Sequence, residues 1–88
     1  MDERIIEKVK KILTQWNPLG ERASFIEDLN EYQTEAIDIL FHLNSSNSHS
    51  EVTNVVQTVL NQAFDLEFTR EDCQAEAYKI WKIFLKSD

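Results

Sequence analysis

The sequence predicts an all-α domain, a compact bundle of about four helices, and three observations carry that expectation. Apolar residues recur every three or four positions in four separate stretches, the spacing of one face of an α-helix. The 88 residues include one Gly and one Pro, too few for the many tight turns of an all-β domain. The hydrophobic fraction of 42% includes two Trp and five Phe, which supports a folded core rather than a disordered chain. A chain of this length has room for one core only, so residues 1–88 read as a single domain, and no internal repeat divides them.

The first helix spans about Asp2 to Trp16. Ile5, Ile6, Val9, Ile12, Leu13 and Trp16 form its apolar stripe, and Asp2 can cap its start. The run Asn17-Pro18-Leu19-Gly20 ends it, because Pro18 disfavours helical geometry at Asn17 and Asn-Pro-x-Gly suits a β-turn. Residues Glu21 to Asp28 are expected to form a loop or short helical turn anchored by Phe25 and Ile26. Two alternatives for the next helix stand beside this: a start at Glu21, or an N-cap at Asp28 with Glu31 as its capping-box partner.

The second helix is expected to end near Leu43. At 100° per residue, Leu29, Tyr32, Ala36, Leu40 and Leu43 share one side, with Ile37 and Ile39 flanking and Phe41 at the margin. Glu31, Glu35, Asp38 and His42 gather on the opposite side. The wide apolar arc suggests a central helix or an extra contact surface.

Asn44 to His49 carries no apolar residue and reads as a flexible linker. Ser48 and Glu51 form a capping box for the third helix, whose Val52, Val55, Val56, Val59, Leu60, Ala63 and Phe64 keep helical spacing despite the β-branched valines. Leu66 and Phe68 are expected to tuck onto the bundle. Thr69 caps the fourth helix, with Asp72 at its third position. That helix presents Cys73, Ala77, Ile80, Trp81 and Phe84, and ends with Lys82 and Lys86 at the negative end of the helix dipole.

Composition narrows function. The formal net charge of −7 is wrong for a protein that neutralises phosphates, so neither nucleic acid nor an anionic membrane surface is an expected partner. A basic patch on another protein is a better match, although acidity also serves solubility alone. The N-terminal MDERIIEKVKK lacks a signal-peptide core, and no apolar run is long enough to span a membrane. The lone Cys73 allows no internal disulfide and suits a reducing compartment. The expectation is a cytoplasmic protein.

Two segments, Trp16-Asn17-Pro18-Leu19-Gly20 and Tyr32-Gln33-Thr34-Glu35-Ala36-Ile37-Asp38-Ile39-Leu40, together with a late Cys-containing helix around Cys73, resemble the YugE-like family of small bacterial proteins. The resemblance covers nearly the whole chain. It implies a small helical bacterial protein and supplies no activity.

No residue set reads as an active site. Glu31, Glu35, Asp38 and His42 could offer metal ligands, but helical di-metal sites use inward Glu-x-x-His pairs, and that motif is absent. Cys73 falls in the first turn of a helix, where a thiol can be activated. A catalytic thiol also needs a base, however, and Glu71 and Asp72 beside it oppose thiolate formation. Arg4, Lys8 and Lys11 make a small basic stripe that could meet the acidic stripe of this chain or of another copy. With one Gly there is no phosphate-binding loop, and no zinc spacing or catalytic triad occurs. No cofactor is expected, and no enzyme activity. The leading reading is a protein-interaction or regulatory module, its partner another protein or a second copy. The residues proposed for contact are Glu31, Glu35, Asp38, His42, Phe41 and Trp16. An acidic inhibitor or immunity-type protein masking a basic partner is the alternative, ahead of a metal-dependent or thiol enzyme.

Overall fold

The computed structural model describes residues 3–26, 29–44 and 46–86. Asp2 and Asp28, two of the four candidate caps, lie outside the described residues, as do the side chains of Phe84 and Lys86. Four α-helices follow one another: α1 (Glu3–Trp16), α2 (Gln33–Phe41), α3 (His49–Phe64) and α4 (Arg70–Lys86). Two short 3₁₀ segments, Gly20–Phe25 and Asn30–Tyr32, lie between α1 and α2. No strand occurs among the described residues, and the all-α bundle is as expected.

The helices close a ring. α1 packs on α2 and α4, and α3 packs on α2 and α4, while α1–α3 and α2–α4 are the diagonals. Val9 and Leu13 of α1 meet Ala36, Ile39 and Leu40 of α2, Val52, Val56 and Leu60 of α3, and Cys73, Ala77 and Ile80 of α4 in one core. Ile5, Ile6, Ile12, Trp16, Trp81, Leu66 and Phe68 pack around it half-buried. Each expected stripe of α1, α3 and α4 thus supplies core residues. Ala63, by contrast, is exposed.

α1 stops where Asn17 turns left-handed at φ 51°, its N–H still bonded to Leu13 O at 2.8 Å. Asn is among the few side chains that tolerate this conformation as a helix C-terminal cap. Gly20, at φ 58°, closes the turn through its N–H to Asn17 O at 2.9 Å. Leu19, not Phe25, anchors the connection: Leu19 is buried, and Phe25 is 84% exposed. The expectation that Phe25 holds this segment is therefore corrected. The adjacent Ile26 does pack on the core, half-buried.

The second helix is shorter than its apolar pattern implies. Asn30, Glu31 and Tyr32 take φ of 47°, 58° and 63°, a left-handed turn that precedes α2. Each such residue other than Gly or Asn costs about 1–2 kcal/mol. Compensating contacts are close at hand. The Tyr32 ring is buried, and its hydroxyl donates to Asn17 Oδ1 at 2.7 Å and accepts from the Leu19 N–H at 3.3 Å. Burial pushes that hydroxyl's pKa above its usual range, so it remains a donor. The ring also meets Phe64 edge-on at 6.0 Å. Thr14 Oγ1 donates to Glu31 O at 3.3 Å, and Asn30 Nδ2 to Gln33 Oε1 at 2.9 Å. Lys10, buried along its stem, reaches both Gln33 Oε1 and Glu7 Oε1 at 3.4 Å.

α3 begins with the expected capping box: Ser48 Oγ accepts from Glu51 N, and Glu51 Oε1 from Ser48 N at 2.9 Å. These bonds hold the Glu51 carboxyl below its ordinary range. His49 does not sit in a flexible loop. It is the first residue of α3, its ring stacked on Trp81 at 5.8 Å and against Tyr78 at 5.5 Å. The helix ends at Asp65, φ 54°, and Arg22 supplies a guanidinium to Phe64 O at 3.2 Å. The Asn61 side-chain amide then pairs with both backbone groups of Phe68, at 3.0 and 3.1 Å, and Gln57 donates to the same carbonyl at 3.0 Å. This clamp lays 65–69 along α3. Thr69 and Asp72 cap α4 reciprocally, at 2.8 and 3.3 Å. Arg70 binds Ser50 and Asn54.

Tyr32→Phe keeps the ring and removes the hydroxyl, leaving the buried Leu19 N–H without its acceptor. The expected loss is about 1–3 kcal/mol, or several degrees in Tm, read by thermal denaturation. An unchanged Tm would show that the hydroxyl contributes nothing.

Candidate functional site

The four residues expected to form one acidic stripe are delivered to three different places. Glu31 belongs to the left-handed turn, so its spacing from Glu35 is not helical. It lines a shallow groove of about 400 Å³ along α1 with Glu7, Lys8, Lys11, Thr14 and Gln15. The basic stripe of α1 therefore faces an acidic residue of the same chain.

Glu35 points inward. It is buried beside Ala36 and Ile39, and the expectation of a solvated position opposite the core is wrong. Burial pushes its carboxyl up and the nearby Asp38 charge adds to this, against an opposing hydrogen bond from its own backbone N–H. A group held this way is a poor contact residue for a partner.

Asp38 on α2 and His42 at its C-terminal cap remain exposed. They line a groove of about 380 Å³ between α2 and α3, with Asn54, Val55, Thr58, Val59 and Gln62 opposite. Val55 and Val59 give it an apolar floor, and polar side chains form its rim. Phe41, expected at the margin of the apolar arc, lies well outside it: 75% of the residue is exposed. Ile37, one turn before it, is 38% exposed. These two, with Thr34, occupy the outer face of α2, away from Ala36, Ile39 and Leu40. Phe41 ends α2, its ring edge-on to His42 at 5.5 Å and outside the core.

Trp16 is not brought to this face. It is half-buried at the end of α1, its ring 5.6 Å from Phe68. Trp81 is likewise half-buried and donates its indole N–H to Asn47 O at 3.1 Å. Both are explained by packing.

One electrostatic feature is visible in the sequence once the fold directs attention to it. Between Arg22 and Arg70 there is no Lys or Arg, yet eight Asp and Glu lie there. That run contains all of α2 and α3, which carry no Lys or Arg themselves, although Arg70 at the start of α4 sets its guanidinium against Ser50 and Asn54 beside the groove. Summing charge over the whole chain conceals this; summing it by segment finds it.

Among the described residues no three His, Cys, Asp or Glu side chains converge as metal ligands. Cys73 is fully buried, and burial, reinforced by Asp72 and Glu76, pushes its thiol up to about 11. No helix among the described residues is long and apolar enough to cross a membrane.

Two measurements check these placements. Because burial raises the pKa of Glu35 in the folded state, its contribution to stability is most favourable when protonated. That contribution is lost as pH rises from the unfolded carboxylate value through the folded one. Glu35→Gln should therefore raise Tm at pH 7 and lose this advantage near pH ~3; an equal effect at both would return Glu35 to the solvated surface. For Cys73, thiol labelling at neutral pH should run at the rate of global opening and accelerate only in denaturant. Rapid labelling of the folded protein would contradict the burial.

No curated protein and no solved structure matches the chain. A family model described as a domain of unknown function, DUF1871, matches residues 8–88. The segments containing Trp16, Tyr32, Asp38 and Cys73 all fall inside that match. The chain thus belongs to the DUF1871 family.

Proposed function

We propose that this protein is a non-catalytic interaction module that docks a protein partner across the outer face of α2 and the α2–α3 groove. The carrying observation is Phe41, three-quarters exposed on a helix whose other large apolar residues are mostly turned inward. Exposed aromatics flanked by polar rims are the usual anchors of protein interfaces. Ile37 extends the apolar patch, Val55 and Val59 floor the groove, and Asp38 lies on its rim. Asp38 on that rim, with no Lys or Arg contributed by α2 or α3 themselves, supports a partner with an apolar anchor and a basic flank.

A masking role, in which the module covers a basic functional site, is the second reading, and the same cation-free run favours it. The acidic balance and lone buried thiol support a cytoplasmic setting. The motif segments around Trp16 and Tyr32 support placement among YugE-like bacterial proteins.

Affinity capture from native lysate, at low and high salt, tests the reading, with Phe41→Ser/Asp38→Lys as control. Both positions are exposed, so the control should keep its stability within about 0.5 kcal/mol. The expected outcome is a salt-sensitive partner that the folded control fails to retain. A partner retained equally by both proteins would remove this face from the function.

A further inference from the structure

Three features set local and tertiary preferences against each other at the start of α2. The first is backbone strain. Leu29 at φ −61°, ψ −40° and Gln33 at φ −59°, ψ −46° are both right-handed, and only Asn30, Glu31 and Tyr32 between them are left-handed. Two of those three, a glutamate and a tyrosine, rarely adopt that conformation. The second is a missing cap. α3 and α4 each begin with a side chain bonded to an early N–H group, whereas no side chain caps the start of α2. The third is pattern. Leu29, Tyr32, Ala36, Leu40 and Leu43 keep one helical phase across the turn, and residues 29–41 contain neither Gly nor Pro. Glu31 also stands third after Asp28, the spacing of a capping box, which its left-handed φ excludes.

We propose that residues 29–32 are a two-state element: left-handed while Tyr32 is bonded to the turn after α1, and the first turn of one continuous helix, 29–41, when those bonds open. Four ties hold the closed state. The Tyr32 hydroxyl donates to Asn17 Oδ1 and accepts from the Leu19 N–H, the Thr14 hydroxyl donates to Glu31 O, and Lys10 Nζ donates to Gln33 Oε1. All four reach back to α1 or to the turn that follows it. Turning Asn30, Glu31 and Tyr32 right-handed removes the strain. It also gives the N–H groups of Gln33, Thr34, Glu35 and Ala36 the carbonyls of residues 29–32 as helical acceptors. The cost is the buried seat of the Tyr32 ring and the four ties. Control of the element therefore lies in the Asn17–Gly20 turn. A ligand that draws Asn17 or Leu19 away from Tyr32 lengthens α2, and one that holds them in place keeps it short. The same change moves Glu31, which now lines the α1 groove, so that groove and the start of α2 respond together. The element operates whatever partner the α2–α3 face takes.

Nuclear magnetic resonance on the full chain separates the two states residue by residue. The sign of φ sets the amide–Hα coupling at 30–32, and a continuous helix brings each Hα near the amide three residues on, from 29 through 36. Glu31 is exposed and Thr14 bonds its backbone, so its side chain can be changed with the ties intact. Glu31→Gly relieves the closed state, and Glu31→Ala favours the open one. The open-to-closed ratio should be about tenfold higher in Glu31→Ala, seen as relaxation dispersion at 29–33 that Glu31→Gly lacks. Adding Tyr32→Phe to Glu31→Ala removes the hydroxyl ties. The double variant should show right-handed couplings and helical contacts through 29–36, while α1, α3 and α4 keep their chemical shifts. A folded double variant whose residues 30–32 stay left-handed, or become irregular, overturns the proposal. If the double variant does not fold, Glu31→Ala alone decides. Exchange with a minor state of right-handed helical shifts supports the two-state element, and the lack of such exchange overturns it.

Discussion

The Tyr32 hydroxyl is the point on which the rest of the architecture depends. It joins the turn after α1 to the turn before α2, through Asn17 Oδ1 and the Leu19 N–H. Its ring meets Phe64 at the end of α3, where Arg22 also reaches the last carbonyl. Three chain reversals therefore converge on one residue. The position is not conformationally free: Asn30, Glu31 and Tyr32 are all left-handed, and only Asn among them tolerates this readily. Several kcal/mol of backbone strain must be offset locally, and the buried ring, the hydroxyl pair and the Thr14 and Gln33 contacts are what offset it.

That left-handed turn explains why α2 departs from its pattern. Phasing the segment at 100° per residue from Leu29 to Leu43 assumes one uninterrupted helix. In the structure the regular helix is nine residues long and starts afresh at Gln33. Its buried side then centres on Ala36, Ile39 and Leu40 with Glu35 drawn in, and its outer side on Thr34, Ile37 and Phe41. Nothing in the residue types announces the reversal. Glycine marks the turn at Gly20, but residues 30–32 contain none, and a glutamate at position 35 argues for solvent by its chemistry. Tertiary bonds from α1 override the local preference.

Elsewhere the residues do declare their structure, for reasons that are local. Ser48 with Glu51, and Thr69 with Asp72, cap helices because each pair satisfies backbone N–H groups within three residues of itself. Repeated apolar spacing found the buried sides of α1, α3 and α4 because those helices are long enough for their phase to be unambiguous. The loop at 65–69 was legible only as apolar residues that needed cover. Its path is set by the Asn61 and Gln57 amides, and an amide on a helix surface does not reveal from sequence which backbone it will bracket.

The segment from Tyr32 to Leu40, which carries the family resemblance, divides cleanly when these placements are combined. Tyr32, Glu35, Ala36, Ile39 and Leu40 are buried, and the lock at Tyr32 ties them to the Asn17–Leu19 turn of the other quoted segment. Those positions are accounted for by folding. Thr34, Ile37 and Asp38 face outward with Phe41 just beyond them. The exposed Ile37 and Phe41 lie outside the core, so the burial that accounts for the other positions does not account for them. With Ala36, Ile39 and Leu40 inward, 100° per residue puts Glu35 on the buried side and Phe41 opposite that side. The burial of those three residues therefore fixes the rotation of α2 and thereby which side chains that helix presents to solvent.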